Sequence, residues 1–162
     1  AQFEIQILEN KQYHINGNCS VLFNFSANRG NDMQELSKVA SGGEFSRLML
    51  AIKHISAKNS NVQTLIFDEI DSGVSGEIAS LMGEMMSEIS SSNQLIAISH
   101  LPQIASRADT HLKVIKTTNK DKTTSSVVEL DNENRIKEIA KLLSGKRLTQ
   151  AAIDNAVELL NQ

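Results

Sequence analysis

The stretch TLIFDEIDSGVSG, residues 64–76, decides the fold. Leu65, Ile66 and Phe67 form a short continuous apolar run that closes on two acids, Asp68 and Glu69. Such a run reads as a buried strand of a parallel sheet. Gly73 to Gly76 supplies a loop, and Ile78, Leu81, Met82, Met85 and Ile89 then recur at helical spacing. Ser90 to Asn93 breaks that helix, and Leu95-Ile-Ala-Ile98 is a second buried strand, closing on Ser99-His100. A strand–helix–strand alternation of this kind predicts an α/β fold with a largely parallel central sheet.

Outward from this unit the period changes. Phe3, Ile5 and Ile7 alternate with polar residues, as do Val21, Phe23 and Phe25, which predicts two half-buried strands joined at Asn16-Gly17-Asn18. Residues 27–35 read as a polar loop. Phe45, Leu48, Met49, Ile52 and Ile55 mark a helix from Glu44, and Ser41 with Glu44 has the spacing of a capping box. Downstream, Pro102 opens a short helix through Ala108. His111–Lys116 and Thr123–Leu130 form a hairpin with Asn119–Lys122 at its tip, and two helices follow, capped by Asp131 and Thr149, the first stopping at Gly145. The outer strands make antiparallel edges.

The bulk numbers narrow the classes. A chain of 162 residues with 40% apolar and 22% charged residues suits one globular domain with its own core. A net charge of −3 argues against a surface that is basic throughout. Cys19 is the only cysteine, which precludes an internal disulfide and suits a reducing cytosol. No apolar run approaches the roughly 20 residues of a membrane span. A chain that opens on Ala1 already in a strand pattern, without an initiator methionine, is expected of a piece of a longer polypeptide.

Three constellations carry chemistry. Asp68 and Glu69 sit where open α/β sheets bind ligands, at the C-terminal edge of a strand. One acid there can hold Mg²⁺, directly or through water, and the next can orient a water for attack on a phosphate. His100 ends the second strand at the same kind of edge, where an imidazole can hydrogen-bond a phosphate. Ser41, Gly42 and Gly43 combine a hydroxyl and unhindered backbone N–H groups with the positive end of a helix dipole. Each has a plainer reading: a surface turn after a strand, a strand-end histidine bonded to a loop, a well-capped helix. Their order along one chain makes them reinforce one another.

Val39-Ala-Ser-Gly-Gly-Glu44 resembles the signature motif of the ABC ATPase superfamily, and Thr64 to Glu69 resembles its Walker B strand. Ser72-Gly-Val-Ser75 falls at its D-loop and His100 at its switch histidine. The longer strings LSKVASGGEFSRLMLAIK, ISHLPQIASRADTHLKVIK and RIKEIAKLLSG look like the C-terminal ATPase half of the SMC-like bacterial DNA repair ATPases. The resemblance runs through essentially the whole chain. It implies a P-loop NTPase C-terminal lobe over residues 1–162, part of a head that uses ATP and Mg²⁺. It further implies that two heads sandwich ATP, with Ser41, Gly42, Gly43 and Glu44 facing the partner head's nucleotide. Asp68 would hold Mg²⁺ through water, Glu69 would act as general base, and His100 would contact the γ-phosphate in its own head. Ser72, Gly73, Val74 and Ser75 would line the head–head interface. The implied partners are an N-terminal half carrying Walker A, a second head, and DNA. The implied setting is the bacterial cytoplasm, at the nucleoid and away from membranes.

The chain departs from the pattern in places. Ala40 stands where transporters usually carry leucine, and the D-loop ends on Ser75 where aspartate is usual. Walker A and the Q-loop are missing; Gly145-Lys146 is followed by Arg147 and has Ala140 where the first glycine belongs. On its own the chain should therefore be catalytically inactive.

Other features read more simply. Lys113, Lys116, Lys120 and Lys122 could touch DNA phosphates, but lysines are common guards of an edge strand. Asp68, Glu69 and Asp71 could be a two-metal nuclease cluster, but neighbouring side chains on a strand face opposite ways. His14, His54 and His111 have no metal-ligand spacing, and Met82, Met85 and Met86 read as core. A docking module with no catalysis of its own is the rival from another class.

Overall fold

The computed structural model describes residues 1–162 apart from 27–29, 31, 39–41, 60–61, 120–121 and 146, and only the backbone of 42, 58, 59 and 119. The chain opens with a long antiparallel hairpin, β1 (Gln2–His14) and β2 (Gly17–Ser26). Its register pairs Phe3 with Phe25, Ile5 with Phe23 and Ile7 with Val21, so the alternating apolar residues share one face. Phe3 and Phe23 stack with ring centroids 6.1 Å apart. Gly17, which follows the turn, has φ +104, a value that suits glycine.

Within the stretch expected to be a loop, Gln34–Glu35 forms a two-residue strand, β3, against β2, and a 3₁₀ turn follows at Leu36–Lys38. The hairpin is less covered than its alternation suggests. Phe25 is buried, but Phe3, Ile5, Ile7 and Val21 are exposed. Alternation reports which residues share a face and says nothing of whether another element packs on it.

Helix α1 (Gly42–Asn59) leads to strand β4 (Thr64–Asp68), helix α2 (Gly76–Ser90) and strand β5 (Gln94–Ile98). β4 and β5 pair in parallel, Thr64 opposite Gln94 through Asp68 opposite Ile98. Among the described residues the parallel sheet has these two strands, while the other two sheets are antiparallel. The main core joins Leu50 and Ala57 of α1, Phe67 of β4 and Ala79, Met82, Met86 and Ile89 of α2, with Ile70, Val74 and Ile104 closing it. Each large apolar side chain buried there contributes about 2 kcal/mol before chain entropy opposes it.

This core covers one face of the parallel pair. Ile66, Ile96 and Ile98 are exposed on the other, so the strands are not buried on both sides as their apolar runs imply. Helix α1 behaves similarly: Leu50 and Ala57 face the core, whereas Phe45, Ile52 and Ile55 of the expected apolar stripe are exposed.

The rest follows the sequence closely. Pro102 occupies the first turn of a one-turn helix, α3 (Pro102–Ala105), shorter than the expected run to Ala108. β6 (Leu112–Asn119) and β7 (Lys122–Glu129) form the second hairpin. α4 (Asn132–Ser144) is capped by Asp131, whose carboxylate accepts from Asn134 N at 2.8 Å, and ends at Gly145 with φ +74. α5 (Gln150–Leu160) is capped by Thr149. These two helices share a small core of Ile139, Ala140, Ala152 and Ala156. Arg135 anchors α4 to the segment after α3, donating to the carbonyls of Ser106 and Ala108.

Candidate functional site

The parallel register is what assembles the site. Because Asp68 lies opposite Ile98, the residues that follow each strand, Glu69 on one side and Ser99-His100 on the other, emerge at the same sheet edge. Asp68 and Glu69 are both exposed there. Glu69 adopts φ +50, a left-handed conformation uncommon for a residue with a side chain. A turn begins at this point: Ser72 N donates to Glu69 O at 3.2 Å and Val74 N to Asp71 O at 3.1 Å. Residues held in sparsely populated backbone conformations cluster at functional sites, where surrounding structure offsets their cost of about 1–3 kcal/mol.

Asp71 sits inside that turn and is 1% exposed. Its Oδ2 accepts hydrogen bonds from Ser99 Oγ at 2.5 Å and from His100 N at 2.9 Å. The same oxygen lies 3.2 Å from His100 Nδ1. Ser99 Oγ in turn accepts from Leu101 N at 3.1 Å. Burial pushes the Asp71 carboxyl up, but the bonds from Ser99 and His100, with the nearby imidazole, outweigh it and leave the group below the usual carboxylate range. The His100 side chain itself is 74% exposed. Sequence reading weighed Asp71 only as part of an acidic cluster. Burial against Ser99 and His100 sets it apart from the exposed pair Asp68 and Glu69. Among the described residues no three potential ligands group into a cation site.

The start of α1 meets this turn from the other side. A Cβ on Gly43 would lie 3.1 Å from Ser72 O, 3.4 Å from Gly73 O and 3.4 Å from the Arg47 guanidinium. Gly43 is therefore packed on the Ser72–Gly73 turn and has no room to spare. Ala40 and Ser41 lie outside the described residues, so the capping box of Ser41 with Glu44 falls outside them too. Of the residues expected to form a D-loop, Ser72 and Ser75 are exposed, whereas Val74 is buried in the core. Ser75 stands at the N-cap of α2 without a side-chain cap bond.

The weaker features sort out on their own geometry. Lys113 pairs with Glu138 on α4, Lys116 and Lys122 are exposed on the second hairpin, and Lys120 lies outside the described residues. His54 approaches Glu88 at 3.5 Å, and His111 is half-buried beside Arg135 and Glu138. Met82 and Met86 are core, with Met85 packed against it.

The exposed carboxylate of Asp68 fits one way in which Mg²⁺ is held, by one or two carboxylates together with substrate phosphates and water, and does not fit an all-protein cage.

The fold is like that of SMC head domains, a lobe of mixed sheets and helices. An Smc head domain with coiled coil and joint from Pyrococcus yayanosii superposes with a TM-score of 0.63 at 22% identity, over 90% of this chain and 26% of that one. A structure from work on ATP-driven dimerization and DNA-stimulated activation of SMC ATPases gives a TM-score of 0.56 at 20% identity, over 90% of this chain and 83% of that one. In sequence the chain is similar to part of proteins named DNA repair protein RecN. It is 41% identical to RecN of Rickettsia felis over 99% of its own length and 30% of that protein's, and 43% identical to RecN of Bacillus subtilis over 88% and 25%. The chain thus spans less than a third of the curated relatives it matches. No family model matches it.

Proposed function

We propose that this chain is the C-terminal lobe of an SMC-like ATPase head that binds and hydrolyses ATP between two engaged heads in DNA double-strand-break repair and recombination. The observation that carries the reading is the shared sheet edge: Asp68-Glu69 and Ser99-His100 emerge together, with Gly43 seated on the turn between them. The RecN relatives are named for DNA repair, and one structural neighbour for ATP-driven dimerization.

In this reading Asp68 holds Mg²⁺ through water, which supplies charge neutralisation at the phosphates when bound. Glu69 orients and deprotonates the attacking water, the task its exposed position at the strand end suits. His100 hydrogen-bonds the γ-phosphate held by its own head. Ser41, Gly42, Gly43 and Glu44 face the nucleotide of the other head, offering backbone N–H groups at the start of α1. Ser72 to Ser75 border the interface. Residues 1–162 contain no glycine-rich loop ending in Gly-Lys-Ser/Thr, so the Walker A half must come from another segment or chain. That half, a second head and DNA are the partners, and the cytoplasm is the compartment.

Complementation tests the shared site. In the intact protein, Ser41→Arg and Glu69→Gln should each abolish hydrolysis. Mixing the two variants should restore part of it, because one of the two sites in a mixed dimer then has both a wild-type Glu69 and a wild-type Ser41. No recovery on mixing would mean that the signature and Glu69 do not serve sites in different heads.

The open apolar residues Ile66, Ile96 and Ile98 favour a second reading, a docking half-domain whose role is assembly alone. It would self-associate and, even when joined to its missing half, bind no nucleotide.

A further inference from the structure

We propose that Asp71 is a positioning residue that fixes His100 in the Nδ1–H tautomer, leaving Nε2 as the nitrogen offered at the sheet edge. The electrostatics of the pair lead there, since the Nδ1 contact is an ion-pair approach and not a formed hydrogen bond. An ionised carboxylate only accepts, and a backbone N–H only donates. The Asp71 Oδ2 that takes the His100 backbone N–H at 2.9 Å is the same atom that lies 3.2 Å from His100 Nδ1. That contact is favourable only when Nδ1 carries the proton. Free neutral imidazole prefers its proton on Nε2, so the carboxylate reverses the ordinary preference.

The environment makes the arrangement stiff. Asp71 is buried, and its Oδ2 accepts from Ser99 Oγ, which is itself fixed by accepting from Leu101 N. His100 is exposed beyond Nδ1, which leaves the far side of its ring available. Asp71 also belongs to the turn whose carbonyls at Ser72 and Gly73 receive Gly43. Movement of that turn would therefore be felt at His100 through one oxygen atom. The significance of a bare Nε2 rests on the proposed role of His100 at the γ-phosphate: with Nδ1 committed, Nε2 is the nitrogen that takes a proton from solvent, or accepts from a protonated phosphate oxygen, to bond the phosphate.

The test is nitrogen-edited NMR of the imidazoles in this chain, with His100 assigned by a His100→Gln variant. At a pH where His100 is neutral, wild type should show a protonated Nδ1 and a bare Nε2. Asp71→Ala should return most of the population to the Nε2–H form, and Ser99→Ala, which keeps the carboxylate, should retain the wild-type pattern. A wild-type His100 that is mainly Nε2–H overturns the proposal without any variant having to fold. So does an Asp71→Ala spectrum unchanged from wild type. His100→Ala in the intact protein separates this from the functional reading. Undiminished ATP hydrolysis there would remove the phosphate role of His100, while the tautomer experiment would still decide the pairing with Asp71.

Discussion

Gly43 lies against Ser72: a methyl group on its Cα would stand 3.1 Å from the Ser72 carbonyl oxygen. This contact joins the start of α1 to the turn that follows β4, two segments that meet only through folding. The turn is exposed at Ser72 and Gly73 and can yield by a few tenths of an ångström. Gly43→Ala should therefore cost little stability while displacing the turn. In the intact protein we expect ATP hydrolysis to fall by about tenfold or more, since small misplacements at a reacting site are expensive. Thermal melting and steady-state hydrolysis of the same variant check both halves of this expectation.

Gly83 is the contrasting case. A Cβ there would come within 2.9 Å of Gln103 O and 3.2 Å of Arg107 Cγ, where α2 and α3 cross. Both obstacles are backbone carbonyls, but that of Gln103 is closer and belongs to a helix packed on α2, whereas that of Ser72 lies in an exposed turn. Alanine gains up to about 1 kcal/mol in helix propensity, but overpacking of this kind costs about 1–3 kcal/mol. Gly83→Ala should lower the urea midpoint with no change in the slope of the transition.

Elements set by local rules were legible in the sequence, and relations set at long range were not. Asp131, Thr149 and Pro102 mark helix starts because a cap or an N1 proline is satisfied within one turn. β4 and β5 are legible because their apolar runs end abruptly on polar residues, and that also put Asp68, Glu69 and His100 at one sheet edge. Asp71 escaped because its partners lie 28 and 29 residues away, and nothing local distinguishes a buried aspartate from a turn aspartate. The α1 stripe misled in the same way. Phe45, Ile52 and Ile55 have helical spacing, yet the side turned to the core is that of Leu50 and Ala57. Periodicity locates an apolar face; the packing partner decides whether it is buried.

The Asp71 network predicts an acid-sensitive fold. A carboxyl held below its unfolded value of about 3.9 contributes stability that is fully present above that pH. This contribution is lost as pH falls through the lower folded value. Asp71→Asn removes the charge and the charge-assisted bonds, costing about 2 kcal/mol at neutral pH. The variant should also lack the part of the acid limb that Asp71 supplies. Urea midpoints from pH 7 down through the acid transition measure both effects.

His111 should act in a higher window. Burial lowers its pKa first, repulsion from Arg135 and Lys113 adds to this, and Glu138 opposes it. Below about 6.5 the unfolded chain then takes up this proton more readily than the folded one. The associated stability is complete above that pH, declines as pH falls through the window and is flat below the folded pKa. His111→Gln should remove this step, seen as a smaller difference in urea midpoint between mildly alkaline and mildly acidic buffer.

The most direct test of the account is Glu69→Gln in the intact protein, with ATP binding and ATP hydrolysis measured side by side. The substitution keeps the size of the side chain just after β4 and removes the charge proposed to deprotonate water. The account predicts that hydrolysis collapses by about 100-fold or more, the scale of general-base catalysis, while nucleotide still binds. Unchanged hydrolysis would contradict the assignment of Glu69 and with it the reading of this sheet edge as an ATPase site.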